Sequence, residues 1–324
     1  MDQSLPAPLR WGLAAPVDDR PRPKVRLRRQ GSGCLLAVAA LTSVWLWVSQ
    51  AAAQPFYHLL AQEGEDTPVG YLLGSIHVGR PDFYPLPRAI DEAFRHSEAL
   101  VVELDVNSAL AEVGRALFAT GIYGDGRRLF DDLSAAEGQR LRGQLERLAL
   151  PEAFFATQKP WLAAMILTVS ALERAGYRGE WGIDYRLLER ARASDLDIVS
   201  LETPAQQVAL FAELPMADQR ALLVTALDEL DRGTSRVEAL VAAWRAGDEA
   251  SLHALVNVPL ATEYPELYQK LVVARNAAMV EHVQRLVRDG RRPLVVVGAA
   301  HLVGTDGLVV ALRARGYTLK SIPR

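Results

Sequence analysis

Val69-Gly70-Tyr71-Leu72-Leu73-Gly74-Ser75-Ile76-His77 runs an apolar segment into a glycine and delivers an imidazole three residues later. Leu294-Val295-Val296-Val297-Gly298-Ala299-Ala300-His301 does the same near the other end of the chain. Each run reads as a buried strand, because near-continuous apolar sequence suits a strand covered on both faces. Each histidine then stands past the carboxyl end of its strand, where open α/β sheets place their ligands. Two such strands in one parallel sheet would bring both rings to a common rim.

The surroundings of the two runs repeat one order. After residues 69–75 come a loop with three prolines, helical spacing over Arg88–His96, and the strand Ala99–Val102 leading into Glu103-Leu104-Asp105. After residues 294–297 come a helix over about 305–315, Gly316 as its stop, and a strand over 317–322. Val78-Gly79 after one histidine also matches Leu302-Val303-Gly304 after the other. These signals predict an α/β fold with a central, largely parallel sheet built from two related β-α-β halves, each carrying Gly-x-x-His. Between the halves, helical periodicity runs over 108–119, 134–148, 161–175, 183–193, 203–214, 216–230 and 263–289. A strand over 196–201 interrupts it and ends in Glu202. This mostly helical middle region is expected to cover the sheet.

The N-terminal stretch has a different character. Seven basic residues, the last of them Arg29, precede an apolar run over 34–48, and Ala51-Ala52-Ala53 offers a small-x-small cleavage step before Gln54. This is the layout of a secretory signal. Residues 1–53 therefore read as a signal peptide and 54–324 as one domain, periplasmic or secreted. The apolar run falls short of the roughly 20 residues of a spanning helix, so an uncleaved inner-membrane anchor over 34–48 is the alternative. Removing residues 1–53 takes seven basic and three acidic residues from a chain with 36 Lys+Arg and 39 Asp+Glu. The remainder is acidic and has no general attraction for nucleic acid. Cys34 is the only cysteine, so a processed chain has no disulfide or thiolate, and a metal site in it would rest on imidazole and carboxylate.

Four polar groups fall at strand ends: His77, His301, Glu103 and Glu202. If the strands are parallel, all four emerge on one rim. Two imidazoles and a carboxylate can hold a divalent cation with a position left for water or a substrate carbonyl, and this donor set suits Mn, Co, Zn or Fe alike. Glu202 has a second reading beside Thr203, which caps the next helix, and Asp184 reads as a favourable charge at a helix start. Arg275-Asn276 interrupts an apolar stretch, so Arg275 either meets a carboxylate or anionic substrate group or lies on a solvated face. His-Glu-x-x-His, Gly-x-Ser-x-Gly and the Walker loop are absent from the sequence.

At Gly74-Ser75-Ile76-His77, Glu103, Leu201-Glu202-Thr203, Arg275-Asn276-Ala277-Ala278-Met279 and Gly298-Ala299-Ala300-His301-Leu302, the chain resembles the TraB/GumN family. That family also includes the pheromone-shutdown protein PrgY and the animal Tiki proteins, which are described as metal-dependent proteases. It is distantly similar to erythromycin esterase and the haem-binding ChaN-like proteins. The resemblance implies a metal-dependent hydrolase of peptide, amide or ester bonds. His77, Glu103 and His301 would be the metal or catalytic set, and Arg275 a substrate or transition-state contact. Two alternatives stay open: a metal-independent, esterase-like hydrolase with histidine as general base, and a non-catalytic module that binds a peptide or haem.

Overall fold

Six strands form one sheet: β1 (Tyr57–Gln62), β2 (Pro68–Ser75), β3 (Ala99–Val102), β4 (Asp197–Ser200), β5 (Pro293–Gly298) and β6 (Tyr317–Ser321). The computed structural model describes residues 57–62 and 67–322; the expected signal, its cleavage step and the anchor alternative lie outside the described residues. No helix among the described residues is long and apolar enough to cross a membrane.

The strand order is β4-β3-β5-β2-β1-β6. β4, β3, β5 and β2 are mutually parallel, while β1 runs antiparallel to both β2 and β6. The two histidine-bearing strands are therefore neighbours, with Gly74 opposite Val297 and Ser75 opposite Gly298. The two β-α-β segments interleave. From β2 the chain crosses past β5 to reach β3, and from β5 it crosses past β2 and β1 to reach β6. β1 has no counterpart in the expected pair of halves, because a short strand next to the N-terminal segment carries little pattern of its own.

Burial explains why the sheet forms from these residues. Ala99 to Val102 and Leu294 to Val297 are each at most 1 % exposed, which is what continuous apolar, β-branched strands require. Helices Arg88–His96, Ile183–Ala193, Ser235–Ala246, Ala274–Arg288 and Leu308–Arg313 contribute to the core around the sheet. Helices Ala135–Leu148, Pro160–Arg174 and Met216–Arg232 gather a second apolar cluster of their own around Leu141, Leu167, Leu223 and Leu227. The middle region thus serves partly as cover for the sheet and partly as a separate helical layer.

Local signals set several boundaries. Ser134 and Glu137 form a reciprocal capping box, as do Thr203 and Gln206. The helix expected over 263–289 is broken instead. Tyr264 leaves helical backbone before Pro265, as a residue preceding proline tends to do, and a π-helical turn, Gln269–Val273, separates Pro265–Tyr268 from Ala274–Arg288. A second π-helical turn lies at His253–Asn257. Such turns shift the phase of a helix by a residue and favour functional sites.

Candidate functional site

The first histidine loop is held by the segment before helix Ile183–Ala193. Ile183 donates its N–H to the Ile76 carbonyl at 3.0 Å, and Gly79 and Arg178 exchange backbone hydrogen bonds at 2.9 and 2.8 Å. The chains approach so closely that a Cβ on Gly182 would lie 2.4 Å from the His77 carbonyl oxygen. Behind the loop, the buried Trp244 donates Nε1–H to the Gly74 carbonyl at 2.8 Å and stacks on Phe83. Trp244 belongs to helix Ser235–Ala246, which periodicity did not reveal.

His77 presents an exposed ring, and its Nδ1 lies 2.8 Å from Asp184 Oδ2. The negative charge of Asp184 raises the His77 pKa to about 9 against the desolvation that opposes it. Asp184 therefore orients an imidazole as well as starting its helix. His301 is the opposite case, only 5 % exposed. Asn276 donates Nδ2–H to the carbonyls of His301 and Asp306, which turns its Oδ1 onto His301 Nδ1 at 2.6 Å. The His301 proton consequently sits on Nδ1 and the lone pair on Nε2. Burial lowers this pKa to about 4, so the ring is neutral at neutral pH.

The two Nε2 atoms converge on one carboxylate oxygen. Glu103 Oε1 lies 4.0 Å from His77 Nε2 and 3.8 Å from His301 Nε2, and it accepts the Gly298 N–H at 2.6 Å. Register produces this meeting, because Val102 pairs with Val296, so Glu103, the residue just past β3, stands level with Val297 and within reach of the N–H of Gly298, the glycine that ends β5. Burial alone would raise the Glu103 pKa, but the neighbouring imidazoles of His301 and His77, the Arg275 guanidinium and the Gly298 N–H hold it at about 2.

Arg275 fills the buried side of the cluster. Its Nε donates to Glu202 Oε1 at 2.6 Å, and Nη2 donates to Glu202 Oε2 at 2.7 Å and Glu103 Oε2 at 2.5 Å. Nη1 donates to the Leu271 carbonyl at 3.2 Å and to His301 Nε2 at 3.0 Å. All five guanidinium N–H groups are thus committed, and none is left for the substrate contact expected of Arg275. Glu202 lies on Arg275, not against the rings, and Gln207 holds its Oε2 at 3.0 Å. The four strand-end groups do share one rim; Asp184, Asn276 and Gln207 were missed as members, and only the Arg275-Asn276 pair had carried a sequence signal. Next to the His301 segment, Asn257 from the π-helical turn His253–Asn257 is fully buried and donates to the Ala300 and Val303 carbonyls at 3.0 and 3.2 Å.

With His77 protonated and His301 neutral, Asp184, Glu103 and Glu202 against Arg275 and His77 leave one negative charge in the cluster, and two once His77 gives up its proton. Both Nδ1 atoms are tied to acceptors, the arrangement that aims Nε2 at a metal. Donor type and charge therefore fit a divalent cation at His77, Glu103 and His301. Among the described residues, however, no group of three or more His, Cys, Asp or Glu side chains is gathered as a ready cation cage. Here the Arg275 Nη1–H already occupies the lone pair of His301.

Residues 59–321 match the sequence profile of the TraB/PrgY/gumN family. The chain belongs to this family. It is 29 % identical over 244 residues to the uncharacterized protein YbaP of Escherichia coli (strain K12), covering 75 % of this chain and 87 % of that one. It matches YbaP of Shigella flexneri with the same identity and coverage. No solved structure matches the chain. The α/β architecture expected from the strand and helix pattern is the one observed.

Proposed function

We propose that this TraB/PrgY/gumN protein is an exported hydrolase of peptide, or other small amide or ester, bonds, with water activated between His77, Glu103 and His301. The observation that supports it most is the convergence of two Nε2 atoms, each oriented through its Nδ1, on one oxygen of a buried carboxylate. A cluster with competing pKa shifts, one imidazole charged and the other neutral, is the pattern that acid–base chemistry uses.

A divalent cation (Mn, Co, Zn or Fe) would be held by His77, Glu103 and His301; when bound it supplies an acidified water and a polarised carbonyl. The protein's own part is positional. Asp184 and Asn276 fix the rings, the Gly298 N–H and Arg275 fix Glu103, and Gly298 keeps the space between them free of a side chain. His77, on the open side, meets substrate first and can take or give a proton at Nε2. The Arg275–His301 contact favours a second reading in which no cation takes part and His77, oriented by Asp184, is the general base.

The test is a screen of purified protein against peptide, amide and ester substrates, with His77→Ala and His301→Ala as controls. Turnover lost in both variants while the fold stays cooperative is the expected result. Full activity in either variant refutes the proposal. Loss of activity on chelation and its return with added cation supports the first mechanism. Chelator-insensitive activity that climbs toward pH 9, as His77 loses its proton, supports the second. Mass spectrometry of the exported protein checks processing, with Gln54 the expected new N-terminus.

A further inference from the structure

We propose that Arg275 is a displaceable occupant of the cation position, so that a divalent ion binds His77, Glu103 and His301 only when Nη1 of Arg275 leaves His301. This rests on the cation reading above. The His301 ring has one lone pair, on Nε2, because Asn276 fixes the proton on Nδ1. Arg275 Nη1 takes that lone pair at 3.0 Å, and Nη2 takes Glu103 Oε2 at 2.5 Å. The guanidinium thus engages two of the three donors and puts a positive charge beside the point where an ion would sit.

The geometry also provides a place for the arginine to remain. Glu202 holds it through both Nε and Nη2, and Gln207 pins Glu202 in turn. Because the guanidinium is a rigid plane, Nη1 leaves His301 by a tilt of the whole group about its two bonds to Glu202, which keeps the side chain anchored at the end of β4. The same movement frees a donor N–H, which a bound carbonyl oxygen could accept. Arg275 would then pass from blocking the ion to contacting the substrate.

Titration with Co2+ followed by visible absorption, together with Zn2+ equilibrium dialysis, tests this on the wild type, Arg275→Lys and Arg275→Met. The lysine variant keeps a cation for Glu103 and Glu202 but cannot fork onto His301, and it serves if the methionine variant does not fold. Expected are one ion per chain in Arg275→Lys, bound at least about tenfold more tightly than in the wild type, and loss of that ion on adding His301→Ala. Equal or tighter binding by the wild type overturns the inference and leaves the cation reading standing. No ion bound by the wild type or by any folded Arg275 variant overturns both. A crystal structure of the ion-loaded wild type that keeps the Arg275–His301 bond also overturns the inference.

Discussion

Gly298→Ala tests the site most directly, because a methyl there would stand among its three central groups. A Cβ built on Gly298 lies 3.3 Å from Glu103 Oε1, 3.3 Å from His77 Nε2 and 3.8 Å from His301 Cδ2. The backbone itself tolerates alanine, with φ −51° and ψ 135°. Removing glycine also restricts the unfolded chain, a gain of about 0.4–1 kcal/mol that offsets the two tight contacts. Net stability should change by no more than about 1 kcal/mol, a shift in Tm of roughly 2–4 °C. Occupancy of the site is another matter. An ion needs donors at roughly 2.0–2.2 Å, and a bridging water needs about 2.8 Å, and neither can share the space with that methyl. Turnover should fall by at least about 100-fold, and Co2+ binding should vanish. Thermal unfolding, the hydrolysis assay and the Co2+ spectrum read the three quantities. A folded variant that keeps a third or more of wild-type turnover refutes the idea that chemistry occurs between these groups, and a Tm drop beyond about 10 °C refutes the steric estimate.

Three further perturbations separate the roles of neighbouring residues. Asp184→Asn removes the charge that raises His77, so its pKa should move from about 9 toward the ordinary 6.5 in an NMR titration; a value staying above 8 would assign the shift elsewhere. Between pH 6.5 and 4 the unfolded chain binds a proton that buried His301 refuses, and between about 4.5 and 2 Glu103 adds a second loss, so stability falls as acid is added. His301→Gln should flatten the first of these two limbs in urea melts taken across pH, and an unchanged slope would contradict the buried, neutral assignment. On the alkaline side, the His77 contribution is complete below 6.5 and lost as pH rises through about 9, so Asp184→Asn should weaken that limb. Trp244→Phe deletes the hydrogen bond to the Gly74 carbonyl and opens a gap beside Phe83, for about 1–3 kcal/mol in urea unfolding; a change under about 0.5 kcal/mol would show that the indole does not support the loop.

Part of this centre was legible because strand-end chemistry leaves local marks. Glycine, apolar run and histidine occur together in each copy, and Glu103 follows its strand directly. These marks were enough to predict the parallel sheet and the meeting of His77, Glu103 and His301. Asp184 carried no such mark, since an acidic residue in a first helical turn is ordinary, and its contact with His77 depends on a loop clamp formed by residues distant in sequence. Glu202 and Arg275 were both singled out, yet their pairing was hidden, because it requires the end of β4 and a helix following a π-helical turn to face each other. Periodicity had read straight through that turn.

The sequence alone determined which strands are buried on both faces, where they stop, and which side chains emerge at those stops, because each of these depends on a residue and its near neighbours. The tertiary structure alone decided that β5 inserts between β2 and β3, that Asp184 and Asn276 hold the two rings, and that Arg275 spends every donor inside the cluster. Hydrogen bonds across such sequence separations depend on register and helix phase, and neither is written in any single segment.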